Sequence, residues 1–151
     1  MLSADLEKIS GEIIKLHRAL FEESPSPMKL QKLCYYSQGI YLADRGTELF
    51  SDDFEAWVYG PVVRDLYQKY KHCGWKAIDD EIEVEGLDEA KVEFITMIVQ
   101  SYGRFDGASL STMTHREDPW VNARGGIPDT EGSNAVVTKA SMEAYFKKQL
   151  Q

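Results

Sequence analysis

Cysteine is scarce: Cys34 and Cys73 are the only two in 151 residues, and they show no paired spacing. That argues against a disulfide scaffold and against a cysteine-based zinc site. No apolar run approaches the length of a membrane span. The first ten residues, MLSADLEKIS, carry charge where a secretory leader needs an apolar stretch, so a reducing cytoplasm is expected. Basic charge is also short, with 17 Lys and Arg against 25 Asp and Glu, a net of −8. Such a surface repels a polyanion at long range, which disfavours general DNA or RNA binding. Internal repeats and low-complexity segments are absent.

The acidity is local. Residues 76–95 hold eight acids against Lys76 and Lys91, which accounts for −6 of the net −8. Asp79, Asp80, Glu81, Glu83 and Glu85 lead this run. They lack the ordered spacing and central glycine of a calcium loop. They read either as a solvated edge or as a docking face for a basic protein, whose association would weaken with salt. The rest of the composition is that of a globular protein. Hydrophobic residues make up 43% and aromatics 11%, enough burial to oppose disorder in a single domain spanning 1–151.

Helical periodicity dominates. Leu6, Ile9, Ile13, Leu16 and Leu20 form a stripe from Ser3, a capping residue, to about Glu22. Ser26-Pro27 opens a second helix, with Leu30, Leu33, Cys34, Ser37, Ile40 and Tyr41 on its buried side and Gly46 as its C-terminal cap. Phe54–Tyr59 alternates as a short strand. Gly60-Pro61 then turns the chain into a third helix, with Val62, Val63, Leu66, Tyr67 and Tyr70 on one face. The weak alternation at 78–85 suggests an exposed strand or hairpin. A fourth helix over 87–102 reads as central, because Val92 and Val99 widen its apolar side. Asp106, Asp118-Pro119 and Thr138 start three more, separated by a loop over 125–137. The sum is a mainly α, single compact domain of about six helices with a short antiparallel β element.

A search for chemistry finds no converging set. His17, His72, His115 and Cys73 sit at no metal-ligand spacing, and the neighbours His72 and Cys73 should point apart in a helix. Cys34 lies on an apolar stripe, and Cys73 lies at a helix C-terminus, whose negative end raises a thiol pKa. No G-x-S-x-G is present, and Gly125-Gly126 lacks the flanking strand and Lys of a phosphate loop. Neither a catalytic residue, a metal nor a cofactor is expected.

Three segments carry more aromatic and polar residues than a core requires: MKLQKLCYYSQGIYLADRGTELF at 28–50, FEAWVYGPVVRDLY at 54–67, and LSTMTHREDPWVNAR at 110–124. Exposed Tyr, Trp and Arg make good interface anchors. In that role Tyr35, Tyr36, Trp57, Tyr59, Arg64, Tyr67, His115, Trp120 and Arg124 join Asp79, Asp80, Glu81, Glu83 and Glu85 as candidate partner contacts. The alternative is that these rings and charges are core residues with one hydrogen bond each, including a buried pair involving Glu55 or Arg124.

Taken in order, the three segments resemble the Panacea domain, the SocA-like antitoxin family that also includes phage-associated GepA-type proteins. The shared pattern falls on Leu30, Lys32, Leu33, Tyr36, Glu55, Ala56, Trp57, Gly60, Pro61, Tyr67, Thr114, His115, Pro119, Trp120, Ala123 and Arg124. The acidic run over 76–89 is outside it. The resemblance implies a bacterial or prophage antitoxin that neutralises a cognate toxin by direct binding, without catalysis. One branch of the family implies an alternative, an adaptor that delivers the toxin to a ClpXP-type protease. An independent alternative is a small hydrolase or ligand-binding enzyme built on His115, Asp118 and Arg124. Helix faces used for a core and for a dimer look alike in sequence, so a homo-oligomer stays open.

Overall fold

A computed structural model describes residues 1–151 as seven α-helices around a small antiparallel sheet. The helices are α1 (Ala4–Phe21), α2 (Pro27–Arg45), α3 (Arg64–Tyr70), α4 (Glu89–Tyr102), α5 (Gly107–Thr114), α6 (Asp118–Arg124) and α7 (Lys139–Gln149). The strands are β1 (Phe54–Trp57), β2 (Gly60–Val62) and β3 (Val136–Val137), in the order β2-β1-β3. A 3-10 turn, Lys71–Cys73, follows α3. No helix is long and apolar enough to cross a membrane.

Capping chemistry sets most of the helix ends. The side chains of Ser3, Ser26, Asp106 and Thr138 each accept from a backbone N–H in the first turn of the helix they open. Pro27 occupies the first turn of α2, where its missing N–H costs nothing. Gly46 closes α2 with φ 74°, a left-handed conformation that glycine adopts without a Cβ penalty.

The organising element is α2. Every residue from Gln31 to Gly39 is buried, so the helix has no solvent face over that span. It packs against α1, α4, α5, α7 and the hairpin. Gly39 permits the closest of these approaches, because a Cβ there would collide with the Phe146 ring of α7. The expected one-sided stripe on α2 is therefore corrected: Ile40 and Tyr41 are only half-buried, while Gln31, Lys32, Tyr35, Tyr36 and Gln38 lie inside. The expected central position of α4 is corrected too, since Glu93, Met97 and Gln100 leave it a solvent face.

Two β assignments also change. Gly60-Pro61 does not begin a helix but forms β2, which pairs with β1 through Glu55↔Val62 and Trp57↔Gly60. The loop over 125–137 ends in β3, which pairs Val137 with Phe54. Residues 78–88 form no strand; their backbone runs irregularly, with Ile82 and Val84 packed over Gly11 of α1.

Polar groups inside the core are answered in kind. Gln38 donates to Phe50 O at 2.6 Å and accepts from Leu49 N at 2.7 Å. Tyr35 and Tyr36 donate to the two carboxyl oxygens of Glu117 at 3.0 and 2.8 Å. Burial pushes the Glu117 carboxyl up to about 7, although the two tyrosine hydroxyls pull the other way. A carboxyl raised in the folded state stabilises the fold below its unfolded pKa and loses that contribution as pH rises through about 7. Replacing Glu117 by Gln removes this dependence. Urea denaturation of wild type and Glu117→Gln at pH 5 and pH 8 is expected to show the variant gaining relative stability by up to about 3 kcal/mol at the higher pH. A pH-independent difference would contradict the assignment.

Candidate functional site: an aromatic groove held by buried side chains

The turn of the β1–β2 hairpin is gripped from below by helix side chains. Arg124 Nη1 donates to Ala56 O at 2.8 Å, Trp120 Nε1 to Trp57 O at 2.8 Å, and His115 Nε2 to Val58 O at 2.7 Å. Ser111 Oγ donates to Tyr59 O at 2.5 Å, and Lys32 Nζ to Pro61 O at 3.2 Å. Gln31 holds Val63 at both its N–H and its carbonyl, at 2.9 and 3.1 Å. The fit at Gly60 is tight. Its φ of 112° lies in the left-handed range, and a Cβ there would fall 2.6 Å from both Lys32 Cε and Thr114 Oγ1.

Above this support lies a groove of about 490 Å³. The start of α2 forms its floor, the hairpin and α3 its walls, and residues 132–134 its far edge. Trp57, Tyr59, Tyr67 and Trp75 line it, with Tyr59, Tyr67 and Trp75 exposed by 56%, 40% and 70%. Trp57 packs edge-on against Tyr67 at 5.1 Å, and Tyr59 against Trp75 at 5.8 Å. Three cations line the groove, Lys32, Arg64 and Lys71, and not one Asp or Glu does. Arg64 lies over the Trp57 ring and pairs with Glu55 at 2.8 Å. Burial alone would raise the Glu55 carboxyl, but hydrogen bonds from Arg64 and Trp57 outweigh it and hold it below its ordinary value. Lys32 has no such counter-charge. It is fully buried, and burial lowers its ammonium to about 7.

The expected contact residues divide sharply. Trp57, Tyr59, Arg64 and Tyr67 come together at the groove. Tyr35, Tyr36, Trp120 and Arg124 do not reach the surface. They are corrected to internal supports, because their polar tips are used on Glu117 and on hairpin carbonyls. His115 is half-buried between Val58 O and the Trp120 ring, 4.3 Å from the latter. Arg124 forms no buried ion pair; its guanidinium donates to the carbonyls of Ala56, Pro128 and Glu131 and stacks on Trp120. The pairing of Glu55 is with Arg64 instead. Asp79, Glu81, Glu83 and Glu85 are exposed on the 78–88 segment and do not line the groove.

The His115, Asp118 and Arg124 trio does not converge on a cavity. Asp118 faces solvent, and the other two side chains are turned to backbone carbonyls. His72 and Cys73, expected to point apart, are brought together by the 3-10 turn. His72 Nε2 lies 3.0 Å and Cys73 Sγ 3.7 Å from Asp80 Oδ1. The three ligand atoms lie within 4.8 Å of one another, one short of the four ligands of a structural zinc site.

Lys32, Lys71 and Trp75 were missing from the expected contacts. The sequence does not single out Lys32, because Gln31, Ser37 and Gln38 give α2 polar positions among which a lysine reads as solvated. Trp75 carried no signal beyond its ring, since its exposure depends on the turn after α3.

Residues 30–121 match the family described as Antitoxin SocA-like, Panacea domain. The chain belongs to this family. It is 32% identical over 109 residues to Antitoxin SocA of Caulobacter vibrioides (strain NA1000 / CB15N), covering 63% of this chain and 57% of that protein. The chain thus spans little more than half the length of that curated relative. No solved structure matches. Within the Panacea match lie the hairpin, most of the groove wall, and the supports Gln31, Lys32, Ser111, His115 and Trp120.

Because Gly60 combines positive φ with close approach, Gly60→Ala is expected to destabilise the protein by about 2–4 kcal/mol in urea denaturation. A loss below about 0.5 kcal/mol would show that the hairpin is not locked onto Lys32 and Thr114.

Proposed function

We propose that this Panacea-family chain is an antitoxin that neutralises a cognate toxin by direct binding in the cytoplasm, with the groove face as the main contact. The observation that carries this reading is the groove itself. Trp57, Tyr59, Tyr67 and Trp75 present large, rigid rings on a wall that buried hydrogen bonds hold in place. Rigid aromatic anchors lose little entropy on binding and dominate protein interfaces. Membership of an antitoxin family supplies the class of partner. The acidic segment leaves the groove lip shortly after Trp75 and offers a second contact, suited to a basic surface.

Expression of the adjacent reading frame alone is expected to arrest growth, and co-expression with this chain to restore it with toxin levels unchanged in cells with or without a ClpXP-type protease. A harmless neighbour would remove the main support, and a toxin that disappears only when the protease is present would favour an adaptor. Trp75→Ala, at an exposed site, is expected to weaken the purified complex by about tenfold or more while leaving the melting temperature within a degree or two.

The acids act on the approach of the partner. Changing Glu81, Glu83 and Glu85 to Lys is expected to slow association about tenfold at low ionic strength, with the difference shrinking in high salt. Stopped-flow association rates at both salt concentrations check this. Equal rates at low salt would remove these residues from the interface.

A further inference from the structure

Beside the groove, three different metal-binding groups meet: the His72 imidazole, the Cys73 thiol and the Asp80 carboxylate. His72 Nε2 lies 3.0 Å and Cys73 Sγ 3.7 Å from Asp80 Oδ1, and no two of the three atoms are more than 4.8 Å apart. Ligands bound at about 2.0–2.3 Å to a tetrahedral ion stand roughly 3.3–3.8 Å from one another. The two measured separations are close to such edges, and the exposed His72 ring is free to close the third. A surface ion pair between His72 and Asp80 would use two of these groups and leave the thiol with one weak sulfur hydrogen bond. One ion satisfies all three.

Asp80 arrives on an anchored backbone. Gly74, at φ 60°, turns the chain directly after Cys73. The Ile78 side chain is buried, and its N–H donates to Pro25 O at 3.0 Å. Arg18 Nη2 of α1 donates to Ile78 O at 3.2 Å and to Asp80 O at 2.8 Å. The main chain on either side of Asp79 is thus fixed by contacts that involve neither His72 nor Cys73, and a ligand set held in advance costs less entropy to complete.

We propose that His72 Nε2, Cys73 Sγ and a carboxyl oxygen of Asp80 bind one Zn2+, with water at the fourth position. A thiolate beside an imidazole suits this borderline-soft ion, whereas Ca2+ and Mg2+ take oxygen ligands throughout. The Cys73 thiol gives its proton to solvent as the sulfur–zinc bond forms, so one thiolate and one carboxylate balance the two charges of the ion. Residues 71–85 carry five acids against Lys71 and Lys76, a local field that favours a cation. The ion closes the loop over 74–79, and Gly74 and Trp75 of that loop line the groove. Zinc therefore ties the Trp75 lip to the start of the acidic segment. The site does not depend on what the groove binds.

The test titrates the untagged full chain with Co2+, a tetrahedral substitute for zinc whose spectrum reports its ligands. At about 10 μM protein, one equivalent is expected to bind with a thiolate-to-cobalt charge-transfer band and to be displaced by Zn2+. Cys73→Ser is expected to abolish the band, although Cys34 remains. His72→Gln and Asp80→Asn should each weaken Zn2+ binding by at least the roughly 10–100-fold that loss of an outer-shell partner costs. Glu83→Gln, which removes an exposed acid outside the cluster, should leave binding within about twofold. Hydrogen exchange over 74–80 is expected to slow with Zn2+ in the wild type and not in Cys73→Ser. No thiolate band, a band that survives Cys73→Ser, or an equal loss in Glu83→Gln and Asp80→Asn overturns the inference. If Cys73→Ser does not fold, alkylation of Cys73 in the wild type decides: slowing by Zn2+ supports ligation, and an unchanged rate overturns it.

Discussion

The hairpin from Phe54 to Val62, with Val63 just after it, has more backbone carbonyls than its sheet can satisfy. β2 is a three-residue edge, and β3 pairs with only two residues of β1. The remaining acceptors are met by side chains from three helices: Gln31 and Lys32 on α2, Ser111 on α5, and Trp120 and Arg124 on α6, with His115 at the end of α5. Each such bond is worth about 1 kcal/mol net, and an acceptor buried without one costs about 1–3 kcal/mol. The hairpin therefore has no independent geometry. Its shape is a readout of how α2, α5 and α6 pack, and the aromatic wall of the groove inherits that rigidity.

The same helix that supplies two of these donors holds one buried ionisable group, Lys32, and its tyrosines bond a second, Glu117 at the start of α6. Burial moves two ionisable side chains toward neutrality from opposite directions: Glu117, which receives the α2 tyrosines, rises to about 7, and Lys32 falls to about 7. Their effects on stability have opposite slopes. Glu117 stabilises most in acid and loses that as pH climbs to about 7. Lys32, an ammonium lowered in the folded state, penalises the fold below about 7, and the penalty lifts as pH climbs toward the unfolded lysine value of 10.5. Near neutrality the fold carries nearly the whole of both penalties, because the Glu117 loss is almost complete and the relief at Lys32 has only begun.

Local signals were legible in the chain, and relations between distant segments were not. Ser3, Ser26, Asp106 and Thr138 announce their helices because a cap is a four-residue event. Gly60-Pro61 misleads because Pro at a turn suits a helix start as well as an edge strand, and only pairing with Glu55–Trp57 decides between them. Val136-Val137 is too short to alternate and becomes a strand only beside Phe54. The aromatic residues pose the same problem. Tyr36 and Tyr67 look alike in sequence, yet one donates to a buried carboxylate and the other lines a groove. What separates them is that α2 is enclosed on all sides, a property of the whole packing and not of any window.

The distribution of charge separates two surfaces with different reach. The exposed acids Asp79, Glu81, Glu83 and Glu85 project a field that extends over about a Debye length and weakens with salt. The exposed rings Tyr59, Tyr67 and Trp75 act only at contact, where desolvation is complete. In a complex of the proposed kind the first group would set the rate of encounter and the second the lifetime, because rates of approach follow long-range potential while dissociation follows the packed contacts.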